Sequence, residues 1–260
     1  MHPIAFQLGT FKITWYGIMV AAGFLAGLWT AGRRGMLQGI SPDKVHDFGL
    51  SLMVGSILGA RILYVITFWR EQFAEHPFPE IFSVWKGGLV YYGGLIGASL
   101  AVIIHSRIKK IPLWKVADVF APSVALGYAF GRIGCLMNGC CYGRACDLPW
   151  AITFPASAEN GGVPRHPTQI YESVLSLGLY AFLAWLYRRK KFDGQIFATY
   201  LVCYACLRSL VELFRGDYPT YQRFLGVVTP AQMVSIGILA AGVVLFLLLP
   251  RVLKSIQPRQ

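Results

Sequence analysis

Seven stretches of about twenty mostly apolar residues follow one another along the chain, separated by shorter polar connections. They run over roughly 14–32, 46–69, 88–106, 116–137, 168–187, 195–214 and 230–250. Each is long enough as a helix to cross a hydrocarbon core of roughly 30 Å. The pattern therefore predicts an all-α polytopic membrane protein, a bundle of about seven transmembrane helices forming a single transmembrane domain over 1–260. Outward loops are expected near 70–86, 138–167 and 215–229. The first thirteen residues, with Pro3, Phe6, Leu8 and Phe11, read as an apolar lead-in lying at the membrane interface. The start lacks the basic region and small-residue cleavage site of a secretory signal, and the spans are too many and too evenly spread for a signal followed by a soluble body.

Composition sharpens this picture. A chain that is 55% hydrophobic, with a mean hydropathy of +0.52, is too apolar for an ordinary soluble domain. Its net charge of +12 invites a nucleic-acid reading, but the basic residues are not gathered on one soluble face, so no nucleic-acid partner is expected. They lie instead in the connections. The segments 33–44, 107–115, 188–191 and 251–260 hold 14 of the 24 Lys and Arg residues, and the lead-in with the other three loops holds 7. The positive-inside rule then places the N-terminus outside and the C-terminus in the cytoplasm. Four Gly-x-x-x-Gly pairs (Gly23/Gly27, Gly55/Gly59, Gly93/Gly97 and Gly127/Gly131) are expected to let membrane helices approach closely.

The remaining three arginines, Arg61, Arg132 and Arg208, fall inside spans, each beyond the midpoint toward the outer side. Cations at one depth repel unless something anionic lies among them. Glu172 and Glu212 can partly neutralise them, giving an internal network that locks helices together. A phosphate is the other candidate, since guanidinium matches its oxygens bidentately. Tyr16, Tyr92 and Tyr204 lie in or beside spans, where a phenol donates to phosphate or lines an apolar pocket. Tyr204 shares a helix face with Arg208, four residues on.

The densest chemistry lies in Gly131–Arg144, which packs two arginines, an asparagine, four glycines and three cysteines into fourteen residues. Its cysteines, with Cys146, are spaced C-x4-C-C-x4-C, and Cys203-x-x-Cys206 lies within the sixth stretch. A zinc site fits this spacing poorly. A disulfide among the loop cysteines, on an oxidising outer face, and unpaired structural thiols are the other readings. His166 is the only histidine near the suspected outer site, and a lone loop histidine is more often a hydrogen-bonding residue than a base.

Residues 131–143, in the form GRIGCLMNGCCYG, resemble the signature of the bacterial prolipoprotein diacylglyceryl transferase family. Trp15-Tyr16-Gly17, Gly93-Gly94-Leu95-Ile96-Gly97, the run His166–Glu172 and Tyr204-x3-Arg208-x3-Glu212-x2-Arg215 follow in the order that family shows. The resemblance covers essentially the whole chain. It implies an inner-membrane enzyme that moves the diacylglyceryl group of phosphatidylglycerol onto the lipobox cysteine of a preprolipoprotein signal peptide. A thioether forms and glycerol phosphate is released, with no cofactor and no metal. It implies that Arg132 binds phosphatidylglycerol and that Arg208 is the second essential arginine. Asn138, Gly143, Tyr16, Tyr204 and Glu212 fall on further motif positions. The chain departs from some members at Tyr92, where they have histidine, at Cys135, where they have asparagine, and at Cys140-Cys141. The reactive sulfur is then the substrate's, and Tyr92 or Glu212 is left to relay its proton.

Two other classes remain open at this stage. One is a transporter or flippase for an anionic lipid or solute, using the same arginines. The other is a membrane thiol–disulfide oxidoreductase built on the cysteines.

Overall fold

A computed structural model describes every residue except 1, 2, 10, 75–77, 79, 85, 86, 155–161, 217–227 and 257–260. Seven long helices carry it: α1 (Trp15–Met36), α2 (Pro42–Thr67), α3 (Tyr91–Ile108), α4 (Leu113–Asn138), α5 (Thr168–Tyr187), α6 (Gln195–Glu212) and α7 (Pro230–Ile256). Each overlaps one predicted apolar stretch, with ends moved by a few residues. Five of them, α1, α2, α4, α5 and the Pro230–Val252 part of α7, are long and apolar enough to cross a membrane. The other two are shorter and carry more polar groups, His105 and Arg107 in α3 and Gln195, Arg208 and Glu212 in α6. Exposed side chains along α7, among them Val243, Val244, Leu247 and Leu248, form a coat suited to lipid and not to water. The chain is a helical, polytopic membrane protein.

The lead-in is not a featureless apolar segment. It forms a β-hairpin, β1 (Ile4–Leu8) against β2 (Phe11–Thr14), with Leu8 opposite Phe11 and Ile4 opposite Thr14. Gly9, at φ 61°, supplies the left-handed residue the reversal needs. Apolarity alone does not reveal this turn.

The chain divides into two compact units, 32–116 and the remainder (1–31 with 117–260). In the first, α2 and α3 meet backbone to backbone. A Cβ on Gly97 would fall 2.8 Å from Gly59 Cα, and one on Gly55 would fall 2.5 Å from Ala101 Cβ. Lipid offers no hydrophobic drive between helices, so this contact rests on close packing, and two of the predicted glycine pairs make it. A Gly97→Val variant should wedge the helices apart at a cost of about 1–3 kcal/mol. A lowered thermal midpoint in detergent would register this, and an unchanged midpoint would contradict it. Ser51 Oγ and His105 Nδ1, 2.7 Å apart, add a polar tie between the same helices.

In the other unit, α1 lies on α4, with Gly23 against Phe130 and Gly127, and Gly27 against Ser123, whose Oγ donates to Gly27 O at 2.6 Å. Gly131 faces open space, so the fourth pair packs through Gly127 alone. Asp118, fully buried near the start of α4, accepts from Gly194 N at 2.8 Å, Phe197 N at 3.0 Å and Lys190 Nζ at 3.1 Å. These are the orphan amides at the start of α6, whose own N-cap, Gly194, has no side chain to offer them. Between α4 and α5, two short strands, β3 (Ile152–Thr153) and β4 (Pro164–Arg165), pair antiparallel.

Candidate active site

The last turns of α4 and α6 and the first turns of α5 bring their charged residues together. Arg132 lies four residues after Tyr128 on α4, and the two share a face. The Arg132 Nη2 donates to Tyr128 Oη at 2.5 Å, with its guanidinium 4.8 Å from the Tyr128 ring centre. Its Nε lies 2.6 Å from Glu172 Oε2, an ion pair that lacks hydrogen-bond alignment. Tyr128 Oη donates to Glu172 Oε1 at 3.2 Å. On α6, Arg208 Nη1 lies 2.5 Å from Glu212 Oε2 and 4.0 Å from Glu172 Oε1. Arg215 Nε is 4.0 Å from Glu212 Oε2, and Thr229 Oγ1 donates to Glu212 Oε1 at 2.9 Å. Both carboxylates are buried. A small cavity lies beside this chain of groups, lined by Glu172, Leu175, Ser176, Tyr204, Leu207, Arg208 and Val211.

Three guanidinium groups thus converge on two buried carboxylates, with Arg132 and Arg208 both drawn toward Glu172. Buried like charges are expensive unless paired. The arginine–glutamate lock foreseen in the sequence exists, and a small cavity lies against it. Guanidinium groups beside a cavity recognise phosphate or carboxylate oxygens best.

The run His166–Glu172 delivers Glu172. Thr168 Oγ1 donates to Cys141 O at 2.9 Å and Gln169 Nε2 donates to Cys140 O at 2.7 Å, which fixes the first turn of α5 against the segment after α4. Gln169 Oε1 is buried without a hydrogen-bond partner. His166 pairs through its backbone with Gly143 and Arg144, and its Nδ1 lies 3.3 Å from Tyr171 Oη. Burial, followed by repulsion from Arg144, lowers its pKa, so the ring stays neutral at neutral pH. It is a hydrogen-bonding residue, as a lone loop histidine usually is.

The remaining candidates fall in three places. Arg132, Arg208, Glu212 and Tyr204 belong to the network or its cavity, with the Tyr204 ring 5.9 Å from Tyr128 and edge-on to it. Tyr16 and Asn138 lie to one side of it. Tyr16 packs over Gly134, where a Cβ would stand 3.1 Å from its ring, and Asn138 Nδ2 reaches Cys140 Sγ at 3.7 Å. Gly143 sits in the loop with its backbone clamped. A Cβ there would fall 2.5 Å from Phe214 O and 2.8 Å from both His166 Cβ and Thr168 Cγ2. Its role in this structure is close approach. Gly143→Ala should lower stability by about 1–3 kcal/mol and depress activity with it. Equal thermal midpoints for the two proteins would refute that role.

Tyr92, at the start of α3, belongs to the other unit, is more than half exposed and packs edge-on against Tyr91. Arg61 belongs there too, and it does not await an anion. Its Nε donates to Ile81 O at 2.8 Å, its Nη1 to Gly87 O at 2.8 Å and Gly88 O at 3.1 Å, and its Nη2 to Glu80 O at 2.5 Å. A shared depth does not by itself make it part of an anion site, because the backbone carbonyls of Glu80, Ile81, Gly87 and Gly88 satisfy it. Sequence reasoning missed Tyr128 and Thr229, and it named Arg215 only as the last residue of a motif. Tyr128 was within reach, since it stands to Arg132 as Tyr204 stands to Arg208. All six cysteines are free, so the loop disulfide is not formed.

The class defined so far is a polytopic helical membrane protein with a buried arginine–glutamate network and a small cavity where the ends of α4 and α6 meet the start of α5. The sequence model of the family described as prolipoprotein diacylglyceryl transferase matches residues 3–248. The chain is 37% identical to a phosphatidylglycerol–prolipoprotein diacylglyceryl transferase of Geobacter sulfurreducens, over 96% of each chain. It is 35% identical to the protein of that name from Mannheimia succiniciproducens, over 91% of this chain and 90% of that one. It is 33% identical to that of Clostridium tetani, over 95% and 97%. The chain belongs to the prolipoprotein diacylglyceryl transferase family.

Proposed function

We propose that this chain transfers the diacylglyceryl group of phosphatidylglycerol to the lipobox cysteine of a preprolipoprotein signal peptide, within the bacterial inner membrane. The observation that carries the reading is the convergence of Arg132 and Arg208 on Glu172 beside a cavity that Tyr204 and Arg208 help to line. In the reaction the substrate sulfur forms a bond to the glyceryl carbon as the bond from that carbon to the phosphate oxygen breaks. The electron pair leaves on glycerol phosphate. Arginines fixed beside that oxygen stabilise the charge it acquires. No oxidation state changes, so the chemistry calls for no redox cofactor.

In this reading Arg132 and Arg208 hold and stabilise the phosphate, while Tyr204, Tyr16, Asn138 and Gly143 shape the headgroup site. The thiol must lose its proton to react. Glu212 or Tyr92 takes that part, and Glu212 lies 2.5 Å from Arg208. The proposed setting is one transmembrane domain of seven spans, N-terminus outside and C-terminus cytoplasmic. Outward loops lie near 70–86, 138–167 and 215–229, with the site toward the outer side. The distribution of Lys and Arg supports that orientation. The relatives are named for transfer, so an anionic-lipid transporter is not favoured.

Purified protein given phosphatidylglycerol and a lipobox peptide should yield a thioether-linked product and an equal amount of glycerol phosphate. Cys140→Ser and Cys141→Ser should retain that activity, which separates this reading from a thiol oxidoreductase. Absence of product in lipid bilayers as well as detergent would refute it.

A further inference from the structure

Three cysteines that the proposed transfer does not use have been brought to one point. The Sγ atoms of Cys135, at the end of α4, and of Cys140 and Cys141, in the segment after it, all lie within 4.8 Å of one another. Sequence spacing concealed this. A C-x4-C-C run is no zinc signature, but the backbone doubles back at Gly139 (φ 72°) and again at Cys141 (φ 64°). A left-handed non-glycine residue is uncommon and persists only where its surroundings enforce it. Here they do. Cys140 N donates to Cys135 O at 3.1 Å, while Gln169 and Thr168 hold the Cys140 and Cys141 carbonyls at 2.7 Å and 2.9 Å. The grip that seats α5 thus also points two thiols back at a third. None is joined in a disulfide, although their sulfurs are close.

We infer that Cys135, Cys140 and Cys141 form a three-thiolate site for a soft, thiophilic cation of the copper(I) class. Thiolate donors select soft ions, and among the described residues no histidine or carboxylate joins the set. Zinc in a closed site almost always takes four ligands, so a three-sulfur set disfavours it. Binding releases the thiol protons to solvent and leaves a complex with net negative charge. Arg132, one turn before Cys135 on α4, offsets that charge. The three sulfurs are not members of the arginine network, although Arg132 borders both.

Anaerobic titration of the reduced, purified protein with copper(I) held by a competing chelator should show one ion per chain. Cys140→Ser and Cys141→Ser should each weaken binding at least tenfold, and Cys203→Ser and Cys206→Ser should leave it unchanged. X-ray absorption on the loaded wild-type protein, which needs no variant to fold, should fit one shell of three sulfurs. Binding that survives Cys140→Ser, a shell of two or four sulfurs, or tighter binding of zinc(II) than copper(I) would overturn the assignment. So would protein isolated with two of these three cysteines blocked from alkylation by a disulfide.

Discussion

An Arg132→Lys variant is expected to stay folded and to lose roughly 10²–10³-fold in the rate of diacylglyceryl transfer, the usual effect of removing one donor that stabilises developing charge. The reason is geometric. One guanidinium serves Glu172 through Nε and Tyr128 through Nη2, with its planar fork fixed between them. An ammonium keeps the charge but cannot hold those directions, nor offer a paired edge to phosphate. Arg132→Ala should do more damage, because it strands Glu172 as a buried carboxylate with its close ion partner gone. Breaking a buried pair from one side costs about 3–5 kcal/mol. Glu172→Gln in the same chain should recover most of that stability and none of the activity. Single-turnover transfer to a lipobox peptide and thermal midpoints of the four proteins separate the two effects. Near-normal transfer by Arg132→Lys would remove the basis of the arginine-centred mechanism.

Arg61→Ala should be the most destabilising change in the other unit, on the order of 3 kcal/mol, since hydrogen bonds to a charged donor are each worth roughly 1.5–3 kcal/mol. It deprives four carbonyls, those of Glu80, Ile81, Gly87 and Gly88, of a buried donor. The guanidinium also faces the Tyr64 and Phe73 rings at 5.4 Å and 5.6 Å, so packing is lost with the charge. Limited proteolysis should find new cleavage between residues 74 and 90, alongside a lowered midpoint. Unchanged protease resistance would show that the segment is held by something else.

These two arginines mark the boundary of what could be read from the sequence. Apolar length located all seven helices, five of which meet the length and apolarity that a hydrocarbon core requires of a span. The same logic placed Arg61, Arg132 and Arg208 at one depth, but depth says nothing about azimuth or about which loop folds back. Arg61 faces a loop segment nineteen to twenty-seven residues further on, whereas Arg132 faces α5. Helical spacing signalled Tyr204 with Arg208, and applied to α4 it yields Tyr128. Arg215 follows Glu212 at i+3 and was within reach of the same spacing, but Thr229 had no such signal, since its meeting with Glu212 depends on how the chain turns after α6. The hairpin at the N-terminus was hidden for a similar reason, because its turn chemistry is carried by a single glycine. The thiol cluster depends on two left-handed residues that no periodicity encodes.

Asp118 gains a second meaning once the helices are counted from it. It fixes Gly194 at its own level, and Arg132 and Arg208 each stand fourteen residues further along their helices from that fastening. At 1.5 Å per residue both lie about 21 Å from it. Tyr128 and Tyr204 are each ten residues along, and their rings meet. The carboxylate therefore works as the zero mark of two parallel rulers. A single inserted residue in either helix would shift one arginine by roughly 1.5 Å and swing it about 100° around its axis. The two cations that the proposed phosphate site needs together are thus aligned from the opposite ends of their own helices.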